Sequence, residues 1–171
     1  MNMITIILAD DHELMRSGLR SLLENEEDFE VVAEADSGRL AVELVGLHRP
    51  QIVVMDVTMP DMSGISATHR ITSEFSDVKV LGLSMHPSEV IVGEMLNAGA
   101  SGYLTKNCAA NDLVKAIRII HGGEIFLSGD ISESVIQKHL SPESGKGKKQ
   151  SRGGMSHREK EVHQLVAEGK P

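Results

Sequence analysis

Five short apolar segments alternate with five segments of helical periodicity over residues 4–123. The first, Ile4–Ala9, is a nearly continuous apolar run rich in β-branched residues, which is typical of a strand buried on both faces. Leucines at helical spacing follow it and predict a helix over 12–25. The other predicted strands are Phe29–Ala33, Ile52–Met55, Val78–Leu83 and Gly102–Leu104. Regular alternation of this kind predicts an α/β fold, with helices on both faces of a doubly wound parallel sheet.

Proline, glycine and serine residues predict where the later helices begin and end. The second helix is expected to end near Arg49–Pro50, and the third to begin at Ser63–Gly64. Pro87 is expected in the first turn of the fourth helix, where proline fits, and Gly99 is expected to close that helix. Gly122–Gly123 is expected to stop the fifth.

The amino-acid composition argues against several classes of protein. The 171 residues include one cysteine, Cys108, so neither an internal disulfide framework nor a cysteine-cluster metal site is expected. We find neither an apolar run of membrane-spanning length nor a signal peptide, and we therefore predict a cytoplasmic protein with no membrane partner. Aromatic residues make up 2% and tryptophan is absent, which argues against a base-stacking platform for single-stranded nucleic acid.

Charge is unevenly distributed along the chain. Residues 1–140 hold 10 lysines and arginines against 21 acidic residues, a net charge of −11, whereas residues 141–171 hold 7 against 4, a net charge of +3. The acidic part cannot be the part that meets nucleic acid phosphates. The basic part could approach them, although a solvated linker explains the same composition.

Polar side chains follow four of the predicted strands. Asp10 and Asp11 follow the first strand, Asp56 the third, Ser84 the fourth and Lys106 the fifth. Ligands of open α/β sheets bind at the carboxyl ends of the strands, so these groups are expected to converge. Three carboxylates that lie close together call for a hard divalent cation, and Mg²⁺ fits best. A carboxylate there can also act as a nucleophile toward a phosphoryl group, whose oxygens the lysine and the serine would hold.

Each of these residues also has an ordinary explanation as a helix cap, a turn or a surface side chain, and only their joint placement favours a site. His12 is expected to be a solvated residue at a helix start rather than a metal ligand or base. Cys108 is expected to be an incidental loop thiol.

At these positions the sequence resembles the receiver domain of two-component response regulators. The runs that carry the resemblance are ILADDHELMRSGL, VVMDVTMPDMSG, LSMH and GASGYLTK, in that order. Their details are similar to the NarL/FixJ-like subfamily, in which the receiver is joined to a LuxR-type helix-turn-helix. The resemblance implies a flavodoxin-like (CheY-like) fold with five parallel strands in the order 2-1-3-4-5.

The resemblance also implies roles at the cation site. Asp56 matches the phosphoacceptor, Asp11 a direct Mg²⁺ ligand, and Asp10 an acid that binds the ion mainly through water. Asp56 and the backbone carbonyl of Thr58 match the remaining protein ligands. Met59–Pro60 and Gly64 match the loop that shapes the site.

Further matches concern the phosphoryl group and the switch. Ser84 matches the hydroxyl that reorients onto the phosphoryl group, and Lys106 the lysine that pairs with it. Tyr103 matches the aromatic residue that couples the site to the distal face. Thr58 and His86 stand where the family varies, so they are expected to tune the lifetime of the phosphorylated state.

The last part of the chain has its own signature. Ser156 and Glu159 form a capping box ahead of an apolar face, and MSHREKEVHQLVAEGKP resembles the opening of a LuxR-type DNA-binding domain. We therefore expect a receiver over 1–122 and a connecting segment with an extra helix over 123–140, the helix lying near Asp130–Leu140. A flexible linker is expected over 141–154, and the first helix of an incomplete helix-turn-helix over 155–171.

The sequence therefore predicts a phosphorylation-controlled switch rather than an enzyme, with at most self-phosphorylation from small donors and slow autodephosphorylation. A sensor histidine kinase is the expected donor, and a homodimer is possible on phosphorylation. Transcription control is the expected output, but promoter DNA is not expected to bind this chain because the DNA-reading helices are missing from it. Two alternatives stay open: a stand-alone receiver acting through protein contacts, and a haloacid-dehalogenase-like phosphatase. The phosphatase family has a second aspartate at the position that Thr58 occupies here.

Overall fold

The computed structural model describes residues 2–86, 88–108, 110–129 and 131. They form a six-stranded parallel sheet in the order β2-β1-β3-β4-β5-β6. The strands are β1 (Ile4–Ala9), β2 (Phe29–Ala35), β3 (Ile52–Asp56), β4 (Lys79–Ser84), β5 (Gly102–Thr105) and β6 (Phe126–Leu127). The helices are α1 (Glu13–Glu24), α2 (Gly38–His48), α3 (Gly64–Glu74), α4 (Glu89–Asn97) and α5 (Ala110–His121).

Two apolar layers cover the two faces of the sheet. On β1, Ile6 and Leu8 point into the layer that contains residues of α1 and α5, whereas Ile7 and Ala9 point into the layer that contains residues of α2, α3 and α4. This alternation follows from the two-residue period of a strand. It explains why the central strands are apolar at nearly every position, as β3 is, with all five residues buried.

The predicted order 2-1-3-4-5 is confirmed, and the count of five strands is one too low. The sixth strand, Phe126–Leu127, pairs in parallel with Gly102 and Tyr103 at the edge of the sheet. A two-residue strand is too short to show a sequence period, so the sequence analysis could not detect it. The helix predicted near 130–140 lies outside the described residues except Ile131, and the segments predicted over 141–154 and 155–171 lie wholly outside them.

Serine residues set the beginnings of three helices. The hydroxyls of Ser37, Ser63 and Ser88 accept hydrogen bonds from backbone N–H groups in the first turns of α2, α3 and α4. The predicted start of α4 at Pro87 was therefore wrong, because Ser88 caps this helix and Glu89 begins it. Within the described ranges, the longest helices have 12 residues, and none is long and apolar enough to cross a membrane.

A close contact joins the end of α4 to α3. Gly99 follows α4 with a φ of 105°, a left-handed conformation that favours glycine. A Cβ atom at this position would lie 2.5 Å from Oγ1 of Thr72, which donates a 2.6 Å hydrogen bond to the carbonyl of Ala98. Gly99 is thus required both by its backbone angle and by the contact with α3.

We predict that Gly99→Ala lowers the free energy of unfolding by about 2–4 kcal/mol, since backbone strain and a steric clash act together. Gly123→Ala is the matched control, because Gly123 also has a positive φ, of 96°, but no atom of the described residues lies within 4 Å of an added Cβ. The control is expected to lose only about 1–2 kcal/mol. Urea unfolding measures both, and equal losses would show that the contact with Thr72 contributes nothing.

Candidate functional site at the carboxyl end of the sheet

Side chains from four neighbouring strands meet at the carboxyl edge of the sheet, as the sequence predicted. Asp56 and Ser84 are the last residues of β3 and β4, and Asp10 and Lys106 directly follow β1 and β5. In the pairing register, Asp56 lies opposite Leu83, one residue before Ser84. The parallel order of β1, β3, β4 and β5 is what brings these groups to one edge.

The centre of this site is a buried ammonium between two buried carboxylates. Nζ of Lys106 lies 2.9 Å from Oδ2 of Asp10 and 3.1 Å from Oδ2 of Asp56. The exposed fractions of the three side chains are 2%, 2% and 4%. Apart from this ammonium, neither Oδ2 atom accepts a hydrogen bond from the part of the chain that the structure describes. The two carboxylates therefore depend on one cation for neutralisation.

Burial and charge move the pKa values of this cluster in different directions. Burial, and then the charge of Asp10, raise the pKa of Asp56 to about 6, against the opposing effect of Lys106. Burial would also raise the pKa of Asp10, but Lys106 and the hydrogen bonds from His12 outweigh it and hold this pKa below its usual value. Burial would lower the pKa of Lys106, yet the two carboxylates raise it. Asp56 is thus the carboxylate whose charge is least compensated.

The turn after β1 presents the remaining acid. Oδ1 of Asp10 accepts a 2.9 Å hydrogen bond from the backbone N–H of His12, and the Asp11 side chain is 30% exposed. His12 is solvated as predicted, with a side chain 65% exposed, but its Nδ1 also lies 3.1 Å from Asp10 and 3.2 Å from Asp11. Potential ligand atoms of Asp10, Asp11, His12 and Asp56 all lie within 4.8 Å of one another. Such a cluster could hold a metal ion.

The donor set suits a hard divalent cation, because three of its four members are carboxylates. Burial of two of them improves the fit, since the side chains of Asp10 and Asp56 are only 2% and 4% exposed and their charge is poorly solvated.

The loop after β3 contacts Asp56 through its backbone. The backbone N–H of Thr58 donates a 3.2 Å hydrogen bond to Oδ1 of Asp56, and the Thr58 side chain is exposed. Met59 is buried and Pro60 exposed. A Cβ atom on Gly64 would lie 2.1 Å from the carbonyl oxygen of Asp56, so only glycine allows α3 to begin this close to β3.

Two residues expected to act at the phosphoryl group and the switch, Ser84 and Tyr103, lie on β4 and β5. Ser84 is 7% exposed, and its Oγ accepts a 3.3 Å hydrogen bond from the backbone N–H of His86, an exposed residue. Tyr103 is fully buried beside Ser84, and burial raises its pKa. Its hydroxyl has no hydrogen bond of regular geometry within the described residues. Tyr103 therefore faces the interior, near the site.

One contact of the site escaped the sequence analysis. Arg16 of α1 donates a hydrogen bond to the backbone carbonyl of Asp10. An arginine placed four residues into an amphipathic helix looks like an ordinary surface residue in a sequence. Only its position six residues after Asp10 in a tight strand-to-helix turn could have drawn attention to it.

The raised pKa of Asp56 leads to a prediction about stability and pH. A carboxyl whose pKa rises from 3.8 to about 6 on folding contributes stability when protonated and loses it as pH rises through that interval. In metal-free buffer, we expect the Asp56→Asn variant to become more stable than the unmodified protein as pH rises from about 4.5 to 7.5. The difference should approach at most about 3 kcal/mol.

Urea unfolding across this pH range measures the effect. Asp61→Asn is the matched control, because Asp61 is an exposed acid on the same loop, and its variant should track the unmodified protein at each pH. A stability difference for Asp56→Asn that does not change with pH would contradict the raised pKa.

Comparisons with known proteins point to one family. The family model described as the response regulator receiver domain matches residues 6–118. The chain is 34% identical over 167 residues to the response regulator UvrY of Escherichia coli K12, covering 98% of this chain and 75% of UvrY. It is 38% identical over 138 residues to the transcriptional regulatory protein DegU of Brevibacillus brevis, covering 81% of this chain and 58% of DegU.

Solved structures show the same relationship. A LuxR-family two-component response regulator from Aurantimonas superposes with a TM-score of 0.77 at 36% identity, covering 82% of this chain and all of that one. The receiver domain of a NarL response regulator from Mycobacterium tuberculosis superposes with a TM-score of 0.70 at 32% identity, covering 72% of this chain and all of that one. With the family model spanning residues 6–118, the protein belongs to the response regulator receiver family, whose members are signalling proteins.

Proposed function

We propose that this protein is a phosphorylation-controlled switch in which Asp56 accepts a phosphoryl group from a sensor histidine kinase. The observation that carries the proposal is the buried carboxylate of Asp56, paired with Lys106 and standing beside a second buried acid at the carboxyl end of the sheet. A structural ion pair needs only one acid for one lysine. The second acid leaves an unbalanced negative charge, which suits a site that receives a cation.

The transfer would proceed by attack of a carboxylate oxygen of Asp56 on the phosphorus atom of a phosphohistidine. The bond between phosphorus and the imidazole nitrogen breaks, its electron pair returns to the imidazole, and an acyl phosphate forms on Asp56. The attacking carboxylate must be ionised, which its pKa of about 6 allows at neutral pH. Lys106 would pair with one of the transferred oxygens, because its Nζ lies 3.1 Å from Oδ2 of Asp56.

The same site would bind Mg²⁺. Asp11 and Asp56 would contribute carboxylate ligands, Thr58 its backbone carbonyl, and Asp10 a contact through water. When bound, the ion would neutralise charge on the phosphoryl oxygens. Ser84 would then hydrogen-bond another of these oxygens, and the buried Tyr103 beside it would transmit the change toward the distal face. Thr58 and His86, both exposed at the rim, would tune how fast water reaches the acyl phosphate.

We further propose transcription control as the output. DegU is named a transcriptional regulatory protein, and the chain spans 58% of its length and 75% of UvrY. The division of the chain stays a prediction: a receiver over 1–122, a connecting segment over 123–140, a linker over 141–154 and a partial LuxR-type helix over 155–171. So do dimerisation on phosphorylation, slow loss of the phosphoryl group, self-phosphorylation from small donors and a cytoplasmic location. The absence of a carboxylate at Thr58 argues against the phosphatase alternative.

Acetyl phosphate with Mg²⁺ provides a kinase-independent test. We expect intact-mass measurement to show one added phosphoryl group on the unmodified protein and none on Asp56→Asn. The matched control is Asp61→Asn, which keeps Asp56 and should label normally. Equal labelling of Asp56→Asn and the unmodified protein would show that another residue is the acceptor.

A calorimetric experiment tests the metal assignment separately. Asp11→Ala should bind Mg²⁺ at least roughly 10-fold more weakly in calorimetry, because it removes a direct ligand. It should therefore need more Mg²⁺ for labelling. An unchanged affinity would exclude Asp11 from the cation site.

A further inference from the structure

Arg16 connects the acidic turn after β1 to the neighbouring edge strand. Its guanidinium donates a 2.6 Å hydrogen bond through Nη1 to the carbonyl of Asp10, and a 2.9 Å hydrogen bond through Nε to Oε1 of Glu34 on β2. The Arg16 side chain is only 17% exposed. An arginine held by two different partners has a defined orientation, because its planar fork must satisfy both at once.

The carboxylate of Glu34 also binds a second arginine. Its second oxygen, Oε2, accepts a 2.5 Å hydrogen bond from Arg20, which also donates to Glu24 one turn along α1. Burial would raise the pKa of Glu34, but the two guanidinium groups outweigh it and hold the pKa below its usual value. Two arginines and two glutamates carry no net charge together. The four charges therefore balance one another, and the direct contact of the cluster with the acidic turn is the hydrogen bond from Arg16 to the carbonyl of Asp10.

The carbonyl that Arg16 binds belongs to the peptide plane joining Asp10 to Asp11. On the other side of Asp10, its backbone N–H donates a 3.0 Å hydrogen bond to the carbonyl of Ala35. The main chain is thus fixed both before and after the Asp10 side chain. The plane after Asp10 also contains the N–Cα bond of Asp11, so holding this plane limits the directions that the Asp11 side chain can take.

We propose that Arg16 is a positioning residue of the acceptor site. Anchored by Glu34, it fixes the peptide plane between Asp10 and Asp11 and so aims the partly exposed Asp11 carboxylate at the cation. Arg16 touches neither Asp56 nor any carboxylate of the acidic cluster in the hydrogen bonds and ion pairs of the described residues. This inference rests on the proposed function, since it assigns Arg16 to the cation site described there.

Magnesium affinity of the full chain tests the proposal. Arg16→Met keeps most of the aliphatic stem and removes both hydrogen bonds, and we expect the Mg²⁺ dissociation constant in calorimetry to rise roughly 10-fold. Arg118→Met is the matched control, because Arg118 also has two partners, the carboxylates of Glu26 and Asp28, at the opposite end of the sheet. The control should stay within about 2-fold of the unmodified protein.

The rate of labelling by acetyl phosphate separates positioning from a merely structural effect. For Arg16→Met, we expect half-saturation to need roughly 10-fold more Mg²⁺. The maximal rate at saturating Mg²⁺ should stay within about 3-fold of the unmodified protein, because Arg16 does not touch the acceptor. Unchanged Mg²⁺ affinity, equal weakening in Arg118→Met, or a loss confined to the maximal rate would each overturn the proposal.

A second variant protects the test against a failure of Arg16→Met to fold. Glu34→Gln keeps Arg16 but removes the charge that anchors it, and it should raise the Mg²⁺ dissociation constant by a smaller factor, about 2–5-fold. Full affinity in Glu34→Gln would count against the anchoring. Failure of the proposed function gives a different pattern, in which Asp56→Asn labels normally or Asp11→Ala keeps its Mg²⁺ affinity whatever happens at Arg16.

Discussion

The contact of Lys106 with Asp10 and Asp56 is the constraint around which the rest of the site is arranged. Burying one ammonium and two carboxylates costs several kcal/mol per ion, and only their close mutual contact offsets that cost. Burial, and then the charge of Asp10, raise the pKa of Asp56 to about 6, whereas Lys106 and the hydrogen bonds from His12 hold the pKa of Asp10 below its usual value. One positive charge leaves the two negative charges incompletely balanced. The site therefore favours the binding of a further cation. The same excess negative charge lowers the stability of the cluster and supports its proposed chemistry.

The sheet supplies the geometry that this cluster requires. Because β1, β3, β4 and β5 are parallel neighbours, their carboxyl ends carry polar side chains to one edge, while their apolar middles fill two layers beneath the helices. Residues of the helices next to the sheet complete the site. Gly64 lets α3 begin against the backbone of Asp56, and Arg16 holds the turn after β1 from the side of α1. Precision at the site depends on these supports as much as on the acids themselves.

Much of this was predictable because it depends on local patterns. The strand Ile4–Ala9 agrees in both bounds with its apolar run, and Asp10, Asp56, Ser84 and Lys106 meet where the alternation of strands and helices placed them. Contacts between residues remote in the chain, and elements only a few residues long, could not be predicted from the sequence. Strand β6 is only two residues long, and the start of α4 depends on a serine cap rather than on the preceding proline. Arg16 lies on α1, and its partner Glu34 lies on β2, 18 residues away.

The sequence by itself determined the fold class, the order of the elements and the residue types at the strand ends, because hydrophobic period and short motifs are local properties of a chain. Tertiary structure alone decided which carboxylate carries the unbalanced charge, that Arg16 binds the carbonyl of Asp10, and that Tyr103 is buried next to Ser84. The physical reason is that desolvation and Coulomb energies depend on distances of a few ångströms between groups far apart in sequence. Such distances exist only once the strands are paired and the helices are packed against them.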